Sequence, residues 1–346
     1  MPTGWDRIGA MTDVNRQVIV RELPQGKLAT TDFEMSEAAV PAPSDGEALV
    51  RTLWLSLDAA NRAWMQGATY TDPVQAGQVM AGFGIGEVVE SKAPGVAAGN
   101  LVEVQSGWQD YSVHPARALR VFEPLGPLPR HLSVLGVTGL TAYFGLFDVG
   151  RPEPGETVVV SAAAGATGSV AGQLARIRGC RVVGVAGSDE KNRWLVDELG
   201  FDAAVDYKAD DFRAQLKAAC PAGVDVYFDN TGGAVLAAVL FRMNMRGRIA
   251  CCGVVSQYDT STPEPGPYGI PGLLVTKRLR MEGFIVMDFY DRRDEALAEL
   301  AGWLESGELV AAEDVLEGLD QAPAGLVGLL AGENVGKRMV HVADPR

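Results

Sequence analysis

Residues 158–168 read Val-Val-Val-Ser-Ala-Ala-Ala-Gly-Ala-Thr-Gly, and the stretch 169–178 that follows is amphipathic and closes at Gly179. A short valine run of this kind is a strand buried on both faces, while the next segment has helical spacing. Between them lies the pattern Gly-x-Gly-x-x-Gly, with Ala163 in the first place and Gly165 and Gly168 in the other two. A strand that feeds a helix through a glycine turn leaves first-turn N–H groups without intrahelical partners, and those groups hold an anion. A pyrophosphate on the helix N-terminus is the natural ligand of such a corner, which commits this part of the chain to a parallel α/β sheet.

The rest of the composition narrows the class. A chain of 346 residues allows about two domains. The 44 acidic residues outnumber the 30 basic ones, and a net charge of −14 repels nucleic acid and anionic membranes, so neither is expected as a partner. No apolar run reaches the length of a spanning helix, and residues 1–10 lack the apolar core of a secretory signal. A cytoplasmic enzyme is expected, with residues 1–10 an unstructured leader and Met11 an alternative start. Cys180, Cys220, Cys251 and Cys252 have no framework spacing and read as reduced buried thiols. His114, His131 and His341 are scattered singly, so no metal is expected.

Residues 16–123 carry short, often alternating apolar stretches broken by Pro, Gly and Asp, the texture of a compact all-β unit. After the proline-rich residues 124–129 strands alternate with helices: 157–161 then 169–178, 181–186 then 189–199, 203–207 then 211–219, with further strands at 224–228 and 248–252. Parallel strands require such crossovers, and ligands bind at their carboxyl ends. The expected fold class is α/β, a doubly wound parallel sheet domain over residues 129–307 beside a mostly β domain over residues 1–128, completed by about 308–346. A packing helix is expected at 294–304, then one more helix and an alternating strand at 337–342.

Folds selective for NAD place an acidic residue about 20 positions past the glycine turn, at the end of the second strand. That place falls at Gly187, in Gly-Ser-Asp-Glu-Lys191, so the carboxylate is missing and Lys191 supplies a positive charge suited to a 2′-phosphate. The pattern favours NADP(H) over NAD, although Asp189 lies only two residues away. The alternative is that Lys191 and Arg193 simply solvate a helix face.

The strings Ser161-Ala-Ala-Ala-Gly-Ala-Thr-Gly-Ser169 and Gly179-Cys-Arg-Val-Val-Gly-Val-Ala-Gly-Ser-Asp-Glu-Lys191 resemble the zinc-independent medium-chain dehydrogenase/reductase group, in particular its leukotriene B4 dehydrogenase/prostaglandin reductase and curcumin reductase members. Further matches are Leu140-Thr-Ala-Tyr-Phe-Gly145, Leu199-Gly-Phe201, Tyr227-Phe-Asp-Asn-Thr-Gly-Gly233, Cys252-Gly253 with Tyr258, Gly283-Phe-Ile-Val286 and Glu333-Asn-Val-Gly-Lys337. The resemblance implies a GroES-like catalytic domain, a homodimer, and NADPH-dependent reduction of the C=C bond of α,β-unsaturated ketones or aldehydes. Hydride goes to the β-carbon, and Tyr258 stabilises the enolate beside a ribose hydroxyl of the cofactor. The α-carbon takes its proton from Tyr258 or from water. By the same resemblance Gly165, Ala166, Thr167, Gly168, Lys191, Tyr207, Asn230, Cys252, Gly253, Phe284, Val286 and Asn334 line the cofactor.

Other roles stay open for several of these residues. Tyr258 could serve only to anchor its loop, Tyr207 to pack a sheet edge, and Asn230 to cap a turn. A quinone oxidoreductase of the same superfamily and a non-catalytic NADPH-binding sensor are the alternative functions. The sequence departs from its relatives after Leu55-Ser-Leu-Asp58, where Ala59-Ala-Asn-Arg62 replaces their usual Pro-Tyr-Met-Arg, which reshapes the expected substrate cleft. Arg62 is either a structural partner of Asp58 or a contact for an acidic substrate. Trp64, Met65, Tyr70, Met287, Phe289 and Tyr290 are candidates for an apolar substrate wall or for core. Zinc-bearing relatives carry a Cys in the region 56–62, a Gly-His-Glu stretch near 77–89 and a block of cysteines farther on, and this sequence has none of them.

Overall fold

Six strands form one sheet: β1 (Thr157–Ser161), β2 (Arg181–Ala186), β3 (Ala203–Asp206), β4 (Val224–Asp229), β5 (Met243–Cys251) and β6 (Arg280–Gly283). All pair in parallel, in the order β3-β2-β1-β4-β5-β6. The computed structural model describes residues 14–67, 71–263 and 265–346. The expected leader at residues 1–10 and the wall candidate Tyr70 lie outside them.

The continuous apolar character of β1 has a direct cause. Val158 and Val160 face one buried cluster with Val170 and Leu174, and Val159 faces a second with Val183, Val235 and Ile249. Alternate side chains of one strand therefore enter two cores, each fully buried valine or leucine contributing about 1.5–3 kcal/mol. Helices cover both faces: α1 (Ala166–Ile177), α2 (Asp189–Asp197), α3 (Phe212–Ala219), α4 (Gly233–Arg242), α5 (Ile270–Lys277) and α6 (Arg293–Ser306).

The structure differs from the sequence reading at several element ends. Helix α1 begins at Ala166 rather than 169, because Gly168 sits in its first turn, where a Cβ would lie 2.3 Å from the Ala162 carbonyl oxygen. Strand β5 begins at Met243, five residues early, and passes through Arg246 at a φ of 64°. Strand β6 and helices α4 and α5 carry no period or cap that would separate them from loop or core; α5, for instance, starts from Gly269 at a φ of 80° with no side-chain cap.

The chain divides into two units. The second comprises Arg130–Asp314 with Gly332–Lys337, and the first Met1–Pro129, Val315–Ala331 and Arg338–Arg346. The first unit is mostly β. Val14–Val20 pairs antiparallel with Phe33–Ala39, and Glu47–Ser56 sits between Lys337–His341 and Gly84–Ser91 in a seven-stranded sheet. Its core joins Val18, Leu55, Leu57, Trp108, Leu326 and Val340. The stretch read as all-β also holds a short helix, Ala59–Trp64.

Candidate active site

Each parallel strand ends where a candidate residue begins. Gly165–Gly168 follow β1, Lys191 follows β2, Tyr207 follows β3, Asn230 follows β4, Cys252, Gly253 and Tyr258 follow β5, and Phe284 and Val286 follow β6. One edge of the sheet thus gathers them all, on both sides of the switch between β1 and β4, the place at which sheets of this kind bind their ligands.

At the end of β1 the backbone turns through Ala162 at a φ of 47°, and Gly165 then takes the N-cap position of α1 with no side chain capping it. The first-turn amides of Ala166, Thr167 and Gly168 are of the kind that lack intrahelical acceptors. Gly332–Lys337 lies against this corner: the Gly336 N–H donates to the Ala164 carbonyl at 2.8 Å, and the Asn334 Nδ2 donates to the Gly336 carbonyl at 2.8 Å. Asn334 is accordingly buried and shapes that segment.

At the end of β2, Gly187 leaves space that a neighbour fills. A Cβ there would stand 2.7 Å from the Tyr207 Cε1 and 3.0 Å from the Lys208 Cε. Ser188 caps α2 by accepting from the Lys191 N–H at 3.3 Å, and the Lys191 Nζ donates to the Gly332 carbonyl at 2.6 Å. The Lys208 Nζ lies 5.7 Å from the centroid of the half-exposed Tyr207 ring. One lysine therefore stands beside Gly187, and a second begins one helical turn farther along α2.

The ends of β4 and β5 are joined. Asn230 is fixed to β1, its N–H donating to Ser161 Oγ at 2.9 Å and its Nδ2 to the Ser161 carbonyl at 2.7 Å. The Cys252 and Gly253 N–H groups donate to the Asp229 carbonyl at 2.8 and 3.1 Å. Tyr258 turns its hydroxyl back over its own loop, where it accepts from the Val254 N–H at 3.3 Å and stands 3.6 Å from the position of a Gly253 Cβ. Burial raises the Tyr258 phenol above its ordinary value, opposed by the Val254 N–H, so it stays protonated at neutral pH. Burial, reinforced by the Asp229 carboxylate, pushes the Cys252 thiol up to about 12 and the Cys251 thiol up to about 11. Both remain thiols.

Known proteins match the chain over both units. The family model of the N-terminal domain of oxidoreductases covers residues 16–121, and that of zinc-binding dehydrogenases covers residues 166–302. The NADPH-dependent curcumin reductase of Escherichia coli (strain K12) is 41% identical over 345 residues, 97% of this chain and 99% of the relative. The chain belongs to the zinc-independent medium-chain dehydrogenase/reductase family. The 2-alkenal reductase (NADP(+)-dependent) of Nicotiana tabacum, a further relative of this reductase, is 40% identical over 340 residues, 95% of this chain and 98% of the other. CurA from Vibrio vulnificus in complex with NADPH has the same fold, with a TM-score of 0.91 and 38% identity, covering 95% of this chain and all of that one. Among the described residues no group of three or more His, Cys, Asp and Glu could hold a metal ion.

Several candidate side chains are packed within the reductase, a role the sequence reading left open for the wall residues and for Arg62. Val286 is buried in the core, and the Phe284 ring packs edge-on to Phe228 at 6.2 Å and fills the space beside Gly145. Trp64 and Met65 are core residues of the first unit, and Phe289 stacks on Phe144 at 5.0 Å, whereas Met287 is exposed. Arg62 is buried and donates to the Gly26 carbonyl at 2.8 Å, a structural role. Sequence reasoning missed Lys208 and the carboxylate of Asp229. Lys208 was legible as the residue after Tyr207 once β3 is known to flank β2; Asp229 looked like one more loop acid in Tyr-Phe-Asp-Asn.

Proposed function

We propose that this chain reduces the carbon–carbon double bond of α,β-unsaturated ketones and aldehydes, with NADPH as the electron donor. Its membership among NADP-dependent oxidoreductases, with curcumin and 2-alkenal reductases as relatives, supports the cofactor and the substrate class. The residues present fit that cofactor. An uncapped helix N-terminus after a glycine turn suits the pyrophosphate, and the lack of an acid at Gly187, with Lys208 beside it and Lys191 one helical turn on, suits a 2′-phosphate where an NAD-selective fold has a carboxylate. NADPH supplies the hydride when bound.

The chain's own residues then meet two demands. Gly165, Ala166, Thr167 and Gly168 take the pyrophosphate, Lys191 and Tyr207 the 2′-phosphoribose end, and Asn230, Cys252, Gly253, Phe284, Val286 and Asn334 the remainder. Negative charge that develops on the substrate carbonyl oxygen needs a donor held in place before the charge appears. The single observation that carries this reading is the place of the Tyr258 hydroxyl at the sheet's carboxyl edge, 3.3 Å from the Val254 nitrogen and beside Gly253.

A spectrophotometric screen of NADPH and NADH consumption against enones, alkenals and quinones tests cofactor and reaction together. Saturation of enones with NADPH is the expected result; turnover of simple quinones alone would overturn the reading.

The proposal extends to a cytoplasmic homodimer. No helix among the described residues is long and apolar enough to cross a membrane, and all four cysteines are free thiols. Strand β6 is a sheet edge on which Arg280 pairs with Glu282, and exposed Phe241, Met245 and Val275 lie on the neighbouring α4, β5 and α5. An edge strand leaves backbone groups that a further chain can pair with, and we propose that a second copy does so here. Light scattering on the eluted protein checks the mass.

A further inference from the structure

The Asp229 carboxylate is 2% exposed, yet one of its oxygens is crowded with donors. Its Oδ1 accepts from Tyr227 Oη at 2.8 Å, from the Gly232 N–H at 2.8 Å, from the Thr231 N–H at 3.0 Å and from Ser161 Oγ at 3.4 Å. Residues 227 and 229 point to the same side of β4, so the phenol reaches the carboxylate without a bend in the strand. The Gly232 and Gly233 φ values of 66° and 53° then turn the chain sharply into α4. Two otherwise orphaned amides of that turn are satisfied by one buried charge.

The same turn carries the loop of Tyr258. Ser256 donates to the Thr231 carbonyl twice, through its N–H at 3.2 Å and through its Oγ at 2.6 Å. The Val255 N–H donates to the Asn230 carbonyl at 3.2 Å, and the Tyr258 N–H donates to the Val255 carbonyl at 3.2 Å. An unbroken set of hydrogen bonds therefore runs from the carboxylate through Thr231 and Ser256 to the segment that ends at Tyr258. We infer that Asp229 is a positioning residue for the proposed reaction: with Tyr227 behind it, its carboxylate sets the 229–232 turn, and the turn sets the place of Tyr258. Its carboxylate is occupied by protein donors, and its catalytic consequence rests on the reading of Tyr258 given above.

The test compares Asp229→Ala, Asp229→Asn and Tyr227→Phe by hydrogen–deuterium exchange and by kinetics with NADPH and an enone. In Asp229→Ala the amides of residues 229–233 and 252–258 should exchange faster while the rest of the sheet keeps its protection. The kcat should fall about 10- to 100-fold, the scale that a misplaced group costs, and by more than the Kd of NADPH rises. Asp229→Asn, which keeps an acceptor oxygen, should recover most of the loss, and Tyr227→Phe should fall between it and wild type. If Asp229→Ala does not fold, the other two variants carry the comparison. Faster exchange spread over the whole second unit, or unchanged exchange at 252–258, overturns the inference. A wild-type protein that reduces no enone overturns the functional reading instead, and the exchange data still decide the place of Asp229.

Discussion

Gly187 and Tyr207 meet only because Gly187 has no side chain: a Cβ on it would stand 2.7 Å from the tyrosine Cε1. The ends of β2 and β3 are thereby closed onto each other, with Lys208 beside them and Lys191 one helical turn away. An acid at position 187 would displace the ring and set a carboxylate against a 2′-phosphate. Gly187→Asp should raise the Kd of NADPH by about 100-fold, the order expected when a charge-assisted contact is lost, and that of NADH far less. Fluorescence titration with both cofactors measures it, and Gly187→Ala isolates the steric part.

Lys191 holds the Gly332 carbonyl at 2.6 Å, in reach of the same corner. Lys191→Ala should weaken NADPH about 10- to 100-fold and leave NADH nearly unchanged, since hydrogen bonds to charged groups contribute roughly 1.5–3 kcal/mol. Equal loss with the two cofactors would show that this lysine only props the Gly332–Lys337 segment.

Tyr258→Phe removes the hydroxyl and keeps the ring. The kcat with an enone should fall about 10²- to 10³-fold, the usual effect of deleting one donor to a developing oxyanion, while the Kd of NADPH stays within about threefold because the cofactor contacts are untouched. Unchanged turnover across the substrate panel would remove Tyr258 from the mechanism.

Gly168 packs against the Ala162 carbonyl so closely that a methyl group would stand 2.3 Å away, and backbone cannot move aside as a side chain can. Gly168→Ala should cost about 1–3 kcal/mol in urea unfolding, as overpacking does. Gly302 in α6, with nothing within 4 Å of its Cβ position, is the control. Gly302→Ala should stabilise by about 0.4–1 kcal/mol.

His131 is lowered from 6.5 to about 4 by burial, with the Arg293 guanidinium adding to the effect. It is neutral in the folded protein at a pH where the unfolded chain binds a proton. Its contribution is therefore fully present above pH 6.5 and is lost as pH falls toward 4, with a slope no steeper than about 1.4 kcal/mol per pH unit. His131→Gln should flatten the pH dependence in that window relative to wild type. A variant whose unfolding curves keep the wild-type slope between pH 4 and 6.5 would show that His131 is not the group responsible.

Much of this architecture is legible in the sequence. The valine run at 158–160, the glycine corner and the alternation of strands with helices specify a parallel doubly wound sheet, because buried parallel strands need apolar residues on both faces and crossovers between them. The absent acid at Gly187 and the isolated histidines are likewise local facts of composition. Sequence could not say that Lys208 stands beside Gly187, that the Phe284 ring lies edge-on to Phe228, or that Asp229 gathers Tyr227, Thr231 and Gly232. Those relationships join residues from different strands or across a turn. They exist only once the sheet order β3-β2-β1-β4-β5-β6 has brought the strand ends side by side, since burial and hydrogen-bond partnership are properties of the packed chain and not of any one segment.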